Sequence, residues 1–399
     1  MKAIILKGGR ERSVMQRHPW IFASAVAEVQ GDPEVGGTME VLSHEGEWLA
    51  YAAYSPKSQI QARVWTWNRD EIVNESFLAH RLDTAIKARA NLKKTGRTSA
   101  FREVHAESDG LPGLIVDRYN DIRVIQFLSA GVERWRQVIL DQLTKRGDCA
   151  GIYERSDADV RGLEGLPALT GPLWGEAPEP LIDITENNLR YLVDVRNGHK
   201  TGFYLDQKEN RRAFAEMMQP GASVLDGFSY TGSFSAVALR NGAGRVIAID
   251  SSATALDLIP KNVSLNSLAL ESLNVMKEDV FVALRLLRDQ GREFDHIILD
   301  PPKFAPTSAH LQKASRGYKD INLLALKLLK PGGLLFTFSC SGGISPELFQ
   351  KIVSDAALDA GKRVVVIRWL GQPSDHPVAL NFPEGRYLKG LVCQVVDNF

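Results

Sequence analysis

Cys340 stands in the run Thr337-Phe338-Ser339-Cys340-Ser341-Gly342-Gly343, where apolar residues bring the chain up and small residues open it into a loop. A lone cysteine is usually an inert, apolar side chain, and that reading suits Cys149 and Cys393. Cys340 differs in lying between two hydroxyls at the end of a strand-like run. Upstream, Asp300-Pro301-Pro302-Lys303-Phe304 places a carboxylate at the head of a stiff turn whose geometry the prolines fix in advance. A thiol and an acid at one edge suit a particular chemistry. Carbon 5 of cytosine is too poor a nucleophile to attack an electrophilic methyl group directly. A thiolate adding to carbon 6 makes carbon 5 enamine-like and able to attack, and an acid at N3 assists the addition. Cys340 is the candidate nucleophile and Asp300 the candidate acid for methylation of a pyrimidine at carbon 5.

The Asp300 turn also resembles the Asp/Asn-Pro-Pro-aromatic motif of amino-group methyltransferases. In that motif the aromatic follows the prolines directly, whereas here Lys303 intervenes and Phe304 comes one place later. Methylation of a guanine or adenine nitrogen therefore stays open as an alternative. A non-catalytic RNA-binding assembly factor is a third reading.

These two residues need a scaffold that brings strand ends to one edge. From 181 onward, strand-like runs at 223–228, 245–250, 272–279, 294–300, 334–340, 363–370 and 387–396 alternate with helical ones at 233–240, 253–265, 280–290, a long one ending at 329, and 346–360. Such alternation predicts a mainly parallel sheet with helices on both faces. A Pro/Gly-rich loop joins the last two runs, so the final strand is expected to turn antiparallel. Pro260 is expected to bend or break its helix. Seven strands with this ending resemble the Rossmann-like class I S-adenosylmethionine-dependent methyltransferase fold, which makes the fold class α/β.

In such a sheet, ligands sit at the carboxyl ends of the strands. Asp226, Asp250, Asp279 and Asp300 each close one of the first four runs. Asp also suits turns and helix caps, but four in register favour a cofactor. Asp250 is placed for ribose hydroxyls and Asp279 for the exocyclic amine of adenine. The loop Gly227-Phe228-Ser229-Tyr230-Thr231-Gly232 lacks the dinucleotide fingerprint and suits a cofactor without a pyrophosphate. The candidate S-adenosyl-L-methionine set is Asp226, Phe228, Ser229, Tyr230, Thr231, Gly232, Asp250, Ser251, Asp279, Val280 and Asp300. Thr201, Gly202 and Phe203 join it from a segment, 197–207, expected to close over the cofactor.

Residues 1–72 read as a small β-rich unit, with extended runs at 38–42, 47–54 and 60–67. Lys7, Arg10, Arg12 and Arg17 lie just ahead of His18-Pro19-Trp20-Ile21-Phe22, a pairing of cations and aromatics that suits a phosphate backbone and stacked bases. The other reading is a solvated charged face followed by core aromatics. Residues 73–180 form a second α/β unit, helical over 71–96 and 133–145 and extended at 101–104, 113–117, 122–128 and 151–155. A turn-rich linker is expected at 171–180. Lys200 and Lys303 are further candidates for RNA phosphate. The formal net charge of zero across 399 residues provides no global pull toward nucleic acid. No run is long and apolar enough to span a membrane, and three scattered cysteines fit a reducing cytoplasm.

His18-Pro19-Trp20-Ile21-Phe22, Glu107-Ser108-Asp109-Gly110-Leu111-Pro112-Gly113, the 198–207 segment, the Asp300 turn and Phe338-Ser339-Cys340-Ser341-Gly342 together resemble the bacterial 23S rRNA (cytosine-5-)-methyltransferase I family. The resemblance spans essentially the whole chain. It implies an N-terminal PUA domain over 1–72, a central α/β domain over 73–180 and a catalytic domain over 181–399. It further implies S-adenosyl-L-methionine as cofactor, 23S rRNA as substrate, Cys340 as nucleophile and a homodimer. RNA cytosine-5 methyltransferases commonly carry a second cysteine beside the fourth-strand Asp. Here Pro-Pro-Lys occupies that place, so product release manages without it.

Overall fold

A computed structural model describes residues 2–304 and 311–396, with only the backbone described for Lys93 and Lys94. The chain divides into two compact units. The first comprises Met1–Thr185, Val193–Leu205 and Ser374–Gly385, the second Glu186–Leu192, Asp206–Pro373 and Arg386–Phe399.

In the first unit, β1 (Ala3–Leu6), β2 (Trp20–Phe22), β3 (Val26–Gln30), β4 (Thr38–Leu42), β5 (Trp48–Tyr54) and β6 (Ile60–Thr66) form a six-stranded sheet ordered β2-β6-β5-β4-β1-β3. A short helix, α1 (Arg12–Met15), interrupts it. Ile4, Leu6, Met39, Val41, Ala52 and Val64 fill one side. A second sheet, ordered β11-β10-β9-β8-β7, follows: β7 (Ala100–His105), β8 (Leu114–Tyr119), β9 (Ile122–Phe127), β10 (Gly151–Ser156) and β11 (Leu169–Gly175). Its helices are α2 (Glu75–Ala88), α3 (Ala90–Lys94), α4 (Ala130–Arg134), α5 (Arg136–Thr144) and α6 (Asp159–Leu163). Ala53 and Trp65 of the first sheet join the core of the second, so the two sheets pack as one unit.

The linker expected at 171–180 begins instead inside β11, where Gly171–Gly175 pairs antiparallel with β10. Gly171 adopts φ +142° and the register slips between Ile152 and Tyr153. β11 lies at the sheet edge, where a proline such as Pro172 costs the ladder no shared hydrogen bond. The hairpin of β12 (Ile182–Glu186) and β13 (Leu189–Val193) turns through Asn187 and Asn188, both at positive φ. Two left-handed residues in a two-residue loop match the twist of the strands, and Asn tolerates that conformation.

The second unit holds seven strands, β14 (Ser223–Gly227), β15 (Arg245–Asp250), β16 (Leu273–Lys277), β17 (Phe294–Leu299), β18 (Leu329–Ser339), β19 (Arg363–Leu370) and β20 (Lys389–Val396). Their order is β16-β15-β14-β17-β18-β20-β19. The first five are parallel, and β20 inserts antiparallel between β18 and β19. Helices α7 (Lys208–Met217), α8 (Ser233–Arg240), α9 (Ala253–Leu256), α10 (Leu258–Leu265), α11 (Val280–Asp289), α12 (Leu311–Leu328) and α13 (Pro346–Asp359) accompany them. Runs such as Val246–Ile249 are buried throughout, as strands covered on both faces require. Pro260 has the expected effect: with no N–H for the carbonyl of Leu256, the helix breaks at Asp257 into α9 and α10.

Chain order reverses between β14 and β17, which are adjacent while β15 and β16 lie on the far side of β14. Open α/β sheets bind ligands at the carboxyl ends of strands beside such a reversal. The loops after β14 and β17 border that crevice.

Candidate active site

The loop after β14 is held in a strained form. Phe228 (φ +63°) and Tyr230 (φ +50°) are left-handed although neither is glycine, and Gly232 (φ +75°) caps α8 in the same conformation. Aromatic side chains in that region cost free energy and persist only where the surroundings fix them. Here the fixing bonds are visible. Ser229 N donates to Ile249 O (2.9 Å), Tyr230 N to Asp250 Oδ2 (2.9 Å) and Gly232 N to Ser229 O (2.8 Å). Nothing in the sequence signals the two left-handed aromatics. Asp226 is fully buried beneath the loop, and its Oδ2 accepts from Ser235 N (3.0 Å) and Ser235 Oγ (2.7 Å). Burial pushes its carboxyl up to about 7, against those hydrogen bonds, with the charges of Asp300 and Asp250 adding to the rise. Thr231 is buried with the loop.

The other carboxylates differ in their surroundings. Asp250 is half-buried at the end of β15, with Oδ1 accepting from Ser252 N (2.9 Å) and exposed Ser251 beside it. Asp279 lies beyond the end of β16 and is exposed, and its Oδ1 caps α11 by accepting from Val282 N (3.2 Å). That is the helix-cap role that competes with cofactor binding for any strand-end Asp. Val280 is buried in the sheet core, leaving its backbone as its only polar part. Asp300 follows β17 and donates its N–H to Gly227 O (3.4 Å).

Leu299 pairs with Thr337 across the parallel β17–β18 ladder. Asp300 and Cys340 therefore leave neighbouring strands at one edge, as their spacing predicted. Cys340 is half-buried between Ser339 and Ser341, both fully buried. The two serines tie the turn together, with Ser341 N donating to Ser339 Oγ (3.3 Å) and Tyr318 of α12 bonding Ser341 Oγ (3.0 Å). Lys389 at the start of β20 is buried as well, and its Nζ donates to Ser341 O (2.7 Å). Sequence reasoning missed this lysine, since a lysine at a strand end ordinarily faces solvent. Phe304 packs against Tyr318 (4.8 Å), Phe281 (5.8 Å) and Phe228 (6.3 Å). Lys303 is exposed.

The first unit holds the remaining candidates. Thr201 is buried, its hydroxyl donating to Asp117 Oδ2 (2.7 Å) and bonding Tyr119 OH (2.8 Å), which also accepts from Phe203 N (3.2 Å). Gly202 adopts φ +131° with the backbone of Asp194 and Val195 close by, so no larger residue fits. Lys200 is exposed, its ammonium 4.4 Å from the Tyr204 ring. Lys7, Arg10, Arg12 and Arg17 are all exposed. The aromatics after them split: Trp20 donates to Glu107 Oε1 (2.8 Å) and packs on Phe382 (4.8 Å), while Phe22 remains exposed. The 107–113 motif is structural here, with Asp109 also pairing buried Arg89 (2.8 Å).

Comparison with known proteins agrees with this arrangement. An S-adenosylmethionine-dependent methyltransferase family model matches residues 169–381, and a PUA-like domain model matches 4–67. Curated proteins named ribosomal RNA large subunit methyltransferase I align nearly end to end. That of Alteromonas mediterranea is 47% identical, covering 99% of both chains, and that of Shewanella amazonensis is 49% identical, covering 98% of this chain and 99% of its own. The chain belongs to the ribosomal RNA large subunit methyltransferase I family. Membership makes it an S-adenosylmethionine-dependent methyltransferase with a PUA-like N-terminal domain. Among solved structures, a methyltransferase from Streptococcus mutans has the same fold, with a TM-score of 0.86 at 21% identity over 99% of this chain and all of its own. A further methyltransferase structure, complexed with SAH, gives 0.87 at 21% identity over the same shares. No helix among the described residues is long and apolar enough to cross a membrane.

Proposed function

We propose that the protein methylates carbon 5 of a cytosine in 23S rRNA through a covalent adduct on Cys340. The observation that carries this reading is the half-buried Cys340 thiol at the carboxyl edge, just past the strand that neighbours the one leading to Asp300. The relatives' names provide the substrate class, ribosomal RNA of the large subunit.

The residues fit the methyl donor. The tight, left-handed turn through Phe228, Tyr230 and Gly232 leads from the end of β14 into the N-terminus of α8, which suits the donor's amino-acid portion. Asp250 is half-exposed and suits the ribose, and exposed Asp279 suits adenine's amine. When bound, S-adenosyl-L-methionine supplies an electrophilic methyl on a sulfonium.

The chain's own residues do the rest. The target cytosine leaves its stack, at a cost of a few kcal/mol. Cys340 sulfur bonds carbon 6 while Asp300 hydrogen-bonds N3 and stabilises the charge pushed onto the ring. Carbon 5 takes the methyl group, loses its proton to a base, and the sulfur–carbon 6 bond breaks to restore aromaticity and the free thiolate. Exposed Lys7, Arg10, Arg12, Arg17, Lys200 and Lys303 hold RNA phosphates. Amino methylation fits less well, because the aromatic Phe304 is displaced by Lys303 from its place after the prolines and packs among three other rings. The test is incubation with S-adenosyl-L-methionine and unmodified 23S rRNA, followed by bisulfite sequencing. One protected cytosine is expected, and none would overturn the proposal. The homodimer that the family likeness implies is checked by sedimentation, where a monomer at all concentrations would refute it.

A further inference from the structure

We propose that Lys389 is the positioning residue that keeps Cys340 as a thiolate, forming an ammonium–thiolate pair before RNA binds. This rests on Cys340 being the nucleophile. Lys389 brackets the cysteine from the neighbouring strand: it pairs in register with Ser339, and its Nζ reaches Ser341 O at 2.7 Å. The backbone of Lys389 is thus held to the residue before Cys340 and its ammonium to the residue after it. It is also buried, and a lysine rarely gives up water without an anionic partner.

The groups facing it narrow the partner to one. The turn after β18 brings Cys340, α12 brings Tyr318 by way of Ser341, the turn after β17 brings Lys303, and the segment before β20 brings Arg386. On β19 the facing residue of Gly390 is Leu370, which is apolar. Of the charges that bear most on Lys389, Cys340 is the one of opposite sign, and Lys303 and Arg386 are like charges. Burial draws its ammonium down to about 8, the like charges of Lys303 and Arg386 add to that, and a negative Cys340 pulls the other way. An amine drawn down toward the ordinary thiol range can take a proton from a neighbouring thiol. The S–H bond breaks and an N–H bond forms, leaving thiolate and ammonium with no change in total charge. Elimination from carbon 6 returns the thiolate, so the pair is ready for the next turnover.

The test is a pH titration of Cys340 alkylation by iodoacetamide, read on the Cys340 peptide by mass spectrometry without RNA. Wild type, Lys389→Met and Lys389→Arg are compared, with calorimetric binding of S-adenosyl-L-methionine as the check on folding. In wild type the midpoint is expected clearly below the ordinary thiol value of about 8.5. Lys389→Met should raise it by about one pH unit or more, a tenfold loss of thiolate near neutrality, and its methylation rate should recover as pH rises. Lys389→Arg should stay near wild type. A wild-type midpoint at or above the ordinary value overturns the proposal even if a variant fails to fold, and so does an unmoved midpoint in Lys389→Met. Methylation that survives Cys340→Ala would instead remove the nucleophile reading, which the alkylation titration does not depend on.

Discussion

Replacing Gly232 with alanine probes, through a single methyl group, the loop proposed to hold the cofactor. Gly232 sits at φ +75° at the start of α8, and a Cβ there would lie 2.7 Å from Cγ2 and 3.0 Å from Cγ1 of Ile259. Ile259 is fully buried in α10 and has no room to retreat. The left-handed backbone costs alanine about 1–2 kcal/mol. Forcing a methyl into packed core adds about 1–3 kcal/mol, so the whole effect is about 2–5 kcal/mol. Gly361→Ala isolates the first part, because Gly361 has φ +66° but open space around it. Denaturant unfolding of both variants, followed with and without S-adenosyl-L-methionine, separates the two contributions. If the loop yields locally, the same free energy appears as weaker cofactor binding, tenfold for each ~1.4 kcal/mol. Gly232→Ala should be clearly less stable than Gly361→Ala or, where the loop yields, bind the cofactor at least about tenfold more weakly. A Gly232→Ala protein as stable as Gly361→Ala, with wild-type cofactor affinity, would refute the account of a close-packed, strained loop.

Asp226→Asn should flatten the pH dependence of stability. The Asp226 carboxyl is raised from 3.8 to about 7 in the folded protein, so its contribution is complete below about pH 4 and disappears as pH climbs through 7. At roughly 1.4 kcal/mol per pH unit, that contribution is at most about 4 kcal/mol. Equal slopes for wild type and variant between those pH values would contradict the burial argument. Reversing the charges of Lys7, Arg10 and Arg12 should weaken 23S rRNA binding and lower the salt slope of log K by about one for each phosphate no longer neutralised. Unchanged affinity and slope would remove these side chains from the RNA surface.

Much of the catalytic sheet was legible because its signals are local. Apolar runs separated by amphipathic helices specify the parallel strands, and Asp300 and Cys340 follow from their places at strand ends. What escaped depends on neighbours distant in sequence. Phe228 and Tyr230 adopt glycine-like backbone only because Ile249 and Asp250 hold the loop. Gly171 and Pro172 read as a linker but pair with β10 at a sheet edge, where their usual penalty is small. The loop between β19 and β20 looked like a simple connection, yet residues 374–385 join the first unit, with Asp375 accepting from Arg102 N (3.1 Å). Lys389 carries no mark of burial in its flanking sequence. Asp279 turned out to cap a helix, which the strand-end pattern could not separate from a binding role.

The most direct test of the covalent route uses 23S rRNA transcribed with 5-fluorocytidine. Fluorine on carbon 5 cannot leave as a proton does, so the sulfur–carbon 6 bond formed by Cys340 should persist after methyl transfer. Wild-type protein with S-adenosyl-L-methionine should give a denaturation-resistant protein–RNA species whose RNA is attached at the Cys340 peptide, absent from Cys340→Ala. Methylation of ordinary 23S rRNA by Cys340→Ala at the wild-type rate, with no trapped species from either protein, would contradict the account.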